Sequence, residues 1–170
     1  MLEFAIFNPD ELFLAKINTF NLLIDRSDIR ERLEKIAEET ARWSQGGVAG
    51  TDYLTGQFLT NLMVGAARHF RGEKMSGFEF AKVHGLNHFV KLAVKHITPD
   101  NPEELDNISP LRRFEQAYVS IGERINHCLT LETPEYVKGM LDLFEDCFRD
   151  RMDGYPSAMV NTVRKTLEMN

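Results

Sequence analysis

Cysteine is nearly absent from this chain: Cys128 and Cys147 are the only two in 170 residues. They are unclustered and flanked by apolar residues at helical spacing. That excludes a disulfide framework and a cysteine-based zinc site, and suggests reduced core thiols in a cytosolic protein. No stretch reaches the ~20 apolar residues of a membrane-spanning helix. The start carries Glu3 and Asp10 rather than a basic segment and an apolar run, unlike a secretory signal. Basic charge is not in excess. The formal net charge is −6, which argues against a protein that tracks nucleic-acid phosphates but leaves room for a small anion in a local basic pocket. Gly-x-Ser-x-Gly does not occur, and neither cysteine has a suitably placed base. His127 abuts Cys128 but points another way round the helix.

What is present is mostly helix. Hydrophobic residues at 43% are enough for a real core in a chain of this length. Asp28 is a predicted cap for a helix with Ile29, Leu33, Ile36, Thr40 and Trp43 on one stripe, ended by Gly46–Gly50. Thr51 opens a long helix through Phe58, Leu59, Leu62, Met63, Ala66 and Phe70, stopping near Gly72. Ser76 or Gly77 starts the next, whose seam is Val83, Leu86, Val90, Ala93 and Ile97. Ser109-Pro110 begins a helix with the seam Leu111, Phe114, Tyr118, Ile121, Ile125 and Cys128. Thr133-Pro134 opens another with Val137, Met140, Leu141, Phe144, Cys147 and Phe148. Met159, Val160, Val163 and Leu167 suit a short final helix. Short loops join the four long helices between Thr51 and Asp150, which favours an up-down four-helix bundle. One core is expected from Val83, Leu86, Val90, Leu111, Phe114, Tyr118, Ile121, Phe144 and Phe148.

The N-terminus is different. Leu2–Phe7 (Leu-Glu-Phe-Ala-Ile-Phe) reads as a short strand and Phe20–Ile24 as a second, with a short helix at Pro9–Asn18 between them. Such a two-stranded remnant is marginal in water and leaves two open edges. A homodimer through this edge is the expectation, tested by sedimenting the full chain against one lacking Met1–Phe7. The fold class is therefore mainly α, with a bundle, a β remnant and flanking helices. Residues 1–26 read as the remnant of another domain and 27–170 as the helical domain.

Candidate chemistry is sparse. His84 and His88 share a helix face, and His96 lies two turns further on. They could hold a metal, but the residues between them lack a zincin acid, and hydrogen-bonded bundle histidines are the plainer reading. His69 adjoins Arg68. Arg68, Arg71, Lys74 and Lys82 cluster around one interhelical turn, and Lys91 and Lys95 continue the stripe. A solvated basic face is the plain reading; a phosphate site is the sharper one. Glu38-Glu39, Glu103-Glu104 and Glu145-Asp146 are adjacent pairs, so their carboxylates diverge by ~100° on a helix.

The order Leu2–Phe7, Pro9–Asn18, Phe20-Asn21-Leu22-Leu23-Ile24-Asp25-Arg26 and then helices resembles the last part of nucleotidyltransferases of the aminoglycoside and lincosamide resistance type, in the polymerase-β-like superfamily. The resemblance implies a helical substrate-binding domain following the tail of a catalytic domain. It implies a role for Glu3 as a metal-binding carboxylate, and for Arg71, Lys82, Arg68 and Lys91 as nucleotide-binding cations. Mg²⁺ and a nucleoside triphosphate would belong to the complete enzyme. The family's Gly-Ser and Asp-x-Asp motifs are absent here. Transfer by this chain alone is therefore not expected, since Mg²⁺ in such sites needs several carboxylates plus phosphates. RNA-cleaving helical domains related to such families carry an Arg and a His spaced along one helix. Arg68-His69 and Arg124…His127 do not fit that spacing. The alternatives are a stand-alone interaction module and a histidine-based metal protein.

Overall fold

The structure is a computed structural model that describes residues 6–45, 49–106 and 108–168. Within the described residues the chain is mainly helical and has no β-strand. Two compact units form: Met1–Val48 with Asp106–Pro110, and Ala49–Leu105 with Leu111–Asn170.

In the first unit Asn8 and Glu11 start a 3₁₀ turn at Pro9–Leu14, in which the Asn8 N–H donates to Glu11 Oε2 at 3.0 Å. Helix α1 (Arg30–Gln45) follows. Its cap is Asp25, not Asp28. The Asp25 carboxylate accepts from the N–H groups of Ile29 and Ser27, both at 3.2 Å, and of Arg30 at 3.4 Å. These bonds, that from Ile29 foremost, hold its carboxyl below the usual range. Asp28 instead has φ of 50°, a left-handed turn residue that cannot take the extended cap geometry. Buried Thr40 ties the segment to α1: its hydroxyl accepts from Ile17 N–H at 3.2 Å and donates to the Ile36 carbonyl at 2.7 Å. Phe20–Ile24, expected as a strand, is irregular, and Leu23 and Ile24 are exposed. The Leu2–Phe7 strand lies largely outside the described residues; Ile6 and Phe7 are irregular.

The second unit contains α2 (Thr51–Phe70), α3 (Lys74–Phe78), a π-helical stretch (Glu79–Gly85), α4 (Leu86–His96), α5 (Phe114–Ala117), α6 (Val119–Leu129), α7 (Thr133–Phe148) and α8 (Ser157–Glu168). From α3 to α4 the backbone stays helical without a break. Helix α2 packs on α3, the π stretch, α4, α7 and α8, while α6 lies against α7. The core joins Leu54, Phe58, Leu59 and Leu62 of α2 to Phe89 and Leu92 of α4, Tyr136, Met140 and Phe144 of α7, and Val160 and Val163 of α8. Arg164 of α8 reaches Asp142 at 2.7 Å and also Glu145 of α7.

Two departures from the seams have local causes. Val83 is exposed, and Lys82, one position earlier, is buried. A π turn holds an additional residue, and each residue rotates a helix by ~100°. Before the π stretch ends, the inward positions are therefore Gly77, Ala81, Lys82 and Gly85; beyond it Val90 and Ala93 resume the expected face. The second departure is the long helix expected from Pro110. It begins only at Phe114, after Arg113 in the left-handed region (φ 58°), so Leu111 is exposed. It then breaks at Tyr118, and Ile121 is only partly buried. The loop before it fills the break. Asp100 and Asn101 N–H groups donate to the Ala117 carbonyl, and Asp100 Oδ2 accepts from Val119 N–H at 2.9 Å. Asp100→Ala should therefore cost about 1 kcal/mol, the usual loss for a helix cap, in urea unfolding. An unchanged midpoint would show that the cap is not needed.

Candidate functional site

One groove of the second unit concentrates the polar chemistry. It has a volume of about 470 Å³ and is lined by His69, Lys74, Met75, Phe78, Lys82 and the α6–α7 turn Thr130–Thr133. That size suits a small ligand. Helix α2 presents His69 in its last turn, α3 supplies Lys74, Met75 and Phe78, and the π stretch turns Lys82 inward.

Lys82 is the most constrained cation, only 7% exposed. Its ammonium donates to the Leu129 carbonyl at 3.0 Å and to the Leu131 carbonyl, acceptors that the C-terminus of α6 leaves open. It also sits over the rings of Phe78 (5.3 Å) and Tyr136 (5.4 Å). Burial pushes its pKa below that of an ordinary lysine, partly offset by Glu132. Tyr136 is wholly buried, its hydroxyl has no hydrogen-bond partner among the described residues, and burial raises its pKa.

Replacing Lys82 with Met should lower stability at pH 7 by about 2 kcal/mol, because two carbonyls lose a charged donor. A pH effect should accompany it. A lysine whose pKa is lower folded than unfolded leaves the unfolded chain binding more protons between the two values. Wild-type stability should therefore rise with pH on approaching 10.5, and the variant should lose that rise. Urea unfolding of both proteins at pH 7 and 9.5 gives the comparison. Equal stability at pH 7 would mean that the carbonyls do not depend on Lys82.

The other cations expected from the sequence are placed differently. Arg71 Nε bonds Glu73 at 2.8 Å, and Arg68 lies 3.9 Å from the same carboxylate. Arg68 also donates to Ser76 Oγ and stacks at 4.3 Å over Phe80. Neither lines the groove, and Lys91 is exposed on α4. Glu3 lies outside the described residues. Of Arg71, Lys82, Arg68 and Lys91, the groove is lined by Lys82, and Lys74 of the same basic cluster lines it too. His69, Phe78 and the turn at Thr130–Thr133 were not selected; the Thr133-Pro134 cap was visible, but not what faces it.

The histidines of α4 and the π stretch have individual partners. His88 Nδ1 lies 2.7 Å from the His84 carbonyl, so that nitrogen carries the proton, and its ring meets Tyr53 edge-on. His84 is exposed, 3.8 Å from Glu79. His96 Nε2 bonds Thr51 Oγ1 at 2.9 Å. Burial lowers the pKa values of His88 and His96. No group of three His, Cys, Asp or Glu side chains converges among the described residues. Both cysteines are buried, and burial raises their pKa values, as for inert core thiols. No helix among the described residues is long and apolar enough to cross a membrane.

Comparisons with protein-family models, curated proteins and solved structures give no match to this chain.

Proposed function

We propose that this chain is a helical ligand-binding domain of a nucleotidyltransferase-like protein, catalytically incomplete by itself, which holds a small phosphate-bearing molecule such as a nucleotide. The observation that carries the reading is the groove in which His69, Lys74 and Lys82 face the first turn of α7 beside the apolar Met75, Phe78 and Leu131. Cations and an aromatic surface within one cavity suit a molecule with an anionic end and a planar, less polar end. The reading includes an up-down bundle of α2, α4, α6 and α7, a cytoplasmic location, and Glu3 as a carboxylate that adds to metal ligands supplied elsewhere. When bound in a complete enzyme, Mg²⁺ would neutralise phosphate charge during transfer. Calorimetric titration with ATP tests the reading: saturable binding is expected, with no transfer of labelled nucleotide to an aminoglycoside or lincosamide. Absence of binding removes the ligand class, and transfer by the chain alone removes the claim of incompleteness.

A second reading is an interaction module that dimerises through its N-terminal segment. It is favoured by the exposure of Ile6, Phe13, Leu14, Leu23 and Ile24, since apolar surface of that extent is commonly covered by a partner. A sedimentation shift that disappears on removing Met1–Phe7 would support it, and monomers throughout would exclude it.

A further inference from the structure

Resting on the reading of this groove as the ligand site, we infer that it seats the ligand's phosphate group at the first turn of α7, between Lys74 and Lys82. Helix α7 is 16 residues long and begins without a side-chain cap at Glu132. Its first intrahelical donor is Tyr136, bonded to the Glu132 carbonyl at 2.8 Å. Pro134 has no N–H, so the Thr133 and Glu135 N–H groups are left open at the positive end of the helix dipole. Thr133 itself lines the groove. A bare helix start is not a site, but the facing wall supplies independent reasons. Lys82 is more than nine-tenths buried and spends two of its three N–H groups on carbonyls; the third has no acceptor among the described residues. Lys74 makes no ion pair among the described residues, whereas Arg68 and Arg71 share Glu73.

Among the described residues the only carboxylate in the lining is Glu132. With Lys74 and Lys82 charged, the groove is positive within a protein of net charge −6. A tetrahedral phosphate can accept from donors on several sides at once. Here these are two ammonium groups from one wall and backbone N–H groups from the other. A planar carboxylate would leave part of this set unpaired.

The test is an ¹⁵N-NMR titration of the full chain with inorganic phosphate and pyrophosphate, and with acetate as the planar control. Shifts should centre on Met75, Leu131, Thr133 and Glu135, and acetate should bind more weakly. Lys74→Met should weaken phosphate binding about tenfold, and Glu132→Gln should strengthen it about threefold. Arg71→Met should change nothing, since Arg71 is outside the groove. Lys74 and Glu132 are exposed, so both variants should fold, and their thermal melts verify that. Equal acetate binding, shifts centred elsewhere, or affinities indifferent to Lys74 and Glu132 would overturn the inference. If ATP binds but maps elsewhere, the nucleotide reading survives and this placement falls. If phosphate binds here while no nucleotide does, the placement survives and the nucleotide reading falls.

Discussion

Replacing Phe144 with alanine is expected to lower the stability of the helical unit by about 4 kcal/mol. Phe144 is fully buried. Its ring centroid lies 5.1 Å from those of Phe58 and Phe148 and 5.7 Å from that of Tyr155. Phe89 completes the cluster, 5.6 Å from Phe58 and 5.7 Å from Phe148. Helices α2 and α7 and the segment leading to α8 therefore meet at this ring, and α4 joins the cluster through Phe89. Truncation loses the transfer energy of the ring and leaves a cavity whose walls are rigid neighbouring aromatics, which cannot collapse readily. Met75→Ala, at a side chain 89% exposed, should stay within about 0.5 kcal/mol. Urea unfolding with an unchanged slope measures both. A Phe144→Ala loss below about 1 kcal/mol would mean that the cluster is not the centre of the core.

Gly65→Ala is expected to destabilise by about 2 kcal/mol, against the ordinary preference of helices for alanine. A Cβ on Gly65 would lie 2.7 Å from Ala81 Cβ, 2.9 Å from Ala81 N and 2.9 Å from the Gly77 carbonyl. The facing Gly77 is equally tight, a Cβ there meeting the Gly65 carbonyl at 2.8 Å. Two of these obstacles are backbone, so relief requires α2 and the α3–π segment to separate. Gly56 lies in the same helix with nothing within 4 Å of its would-be Cβ. Gly56→Ala should accordingly stabilise by about 0.5–1 kcal/mol. Opposite signs in thermal melts are the expected result, and stabilisation by both substitutions would show that the helices do not cross this closely.

The helical class and several buried faces were legible because they are local. Val90, Phe114, Tyr118, Phe144 and Phe148 recur at helical spacing, and all are buried. Thr133-Pro134 marked the start of α7 to within one residue: the helix begins at Thr133 itself, and Glu132 takes the cap position. Cap identity was less legible, since Asp25 and Asp28 are both sound cap residues; Asp28 was displaced by its left-handed backbone. The break at Tyr118 in the helix expected from Pro110 has no local signal, because it is held by Asp100 and Asn101, from a loop some 18 residues earlier.

For the groove, sequence determined the inventory: a cluster of Arg68, Arg71, Lys74 and Lys82 near one turn, in a helical and otherwise acidic chain. Charge and periodicity are properties of short windows, so a single sequence suffices to read them. The tertiary structure alone decided which of those cations meet. The π stretch rotates Lys82 inward at the expense of Val83, and Glu73 takes both arginines. The carbonyls that bind Lys82 lie 47 and 49 residues further along the chain. No local pattern encodes a contact of that range, because it exists only after α2, the π stretch and α7 have packed against one another.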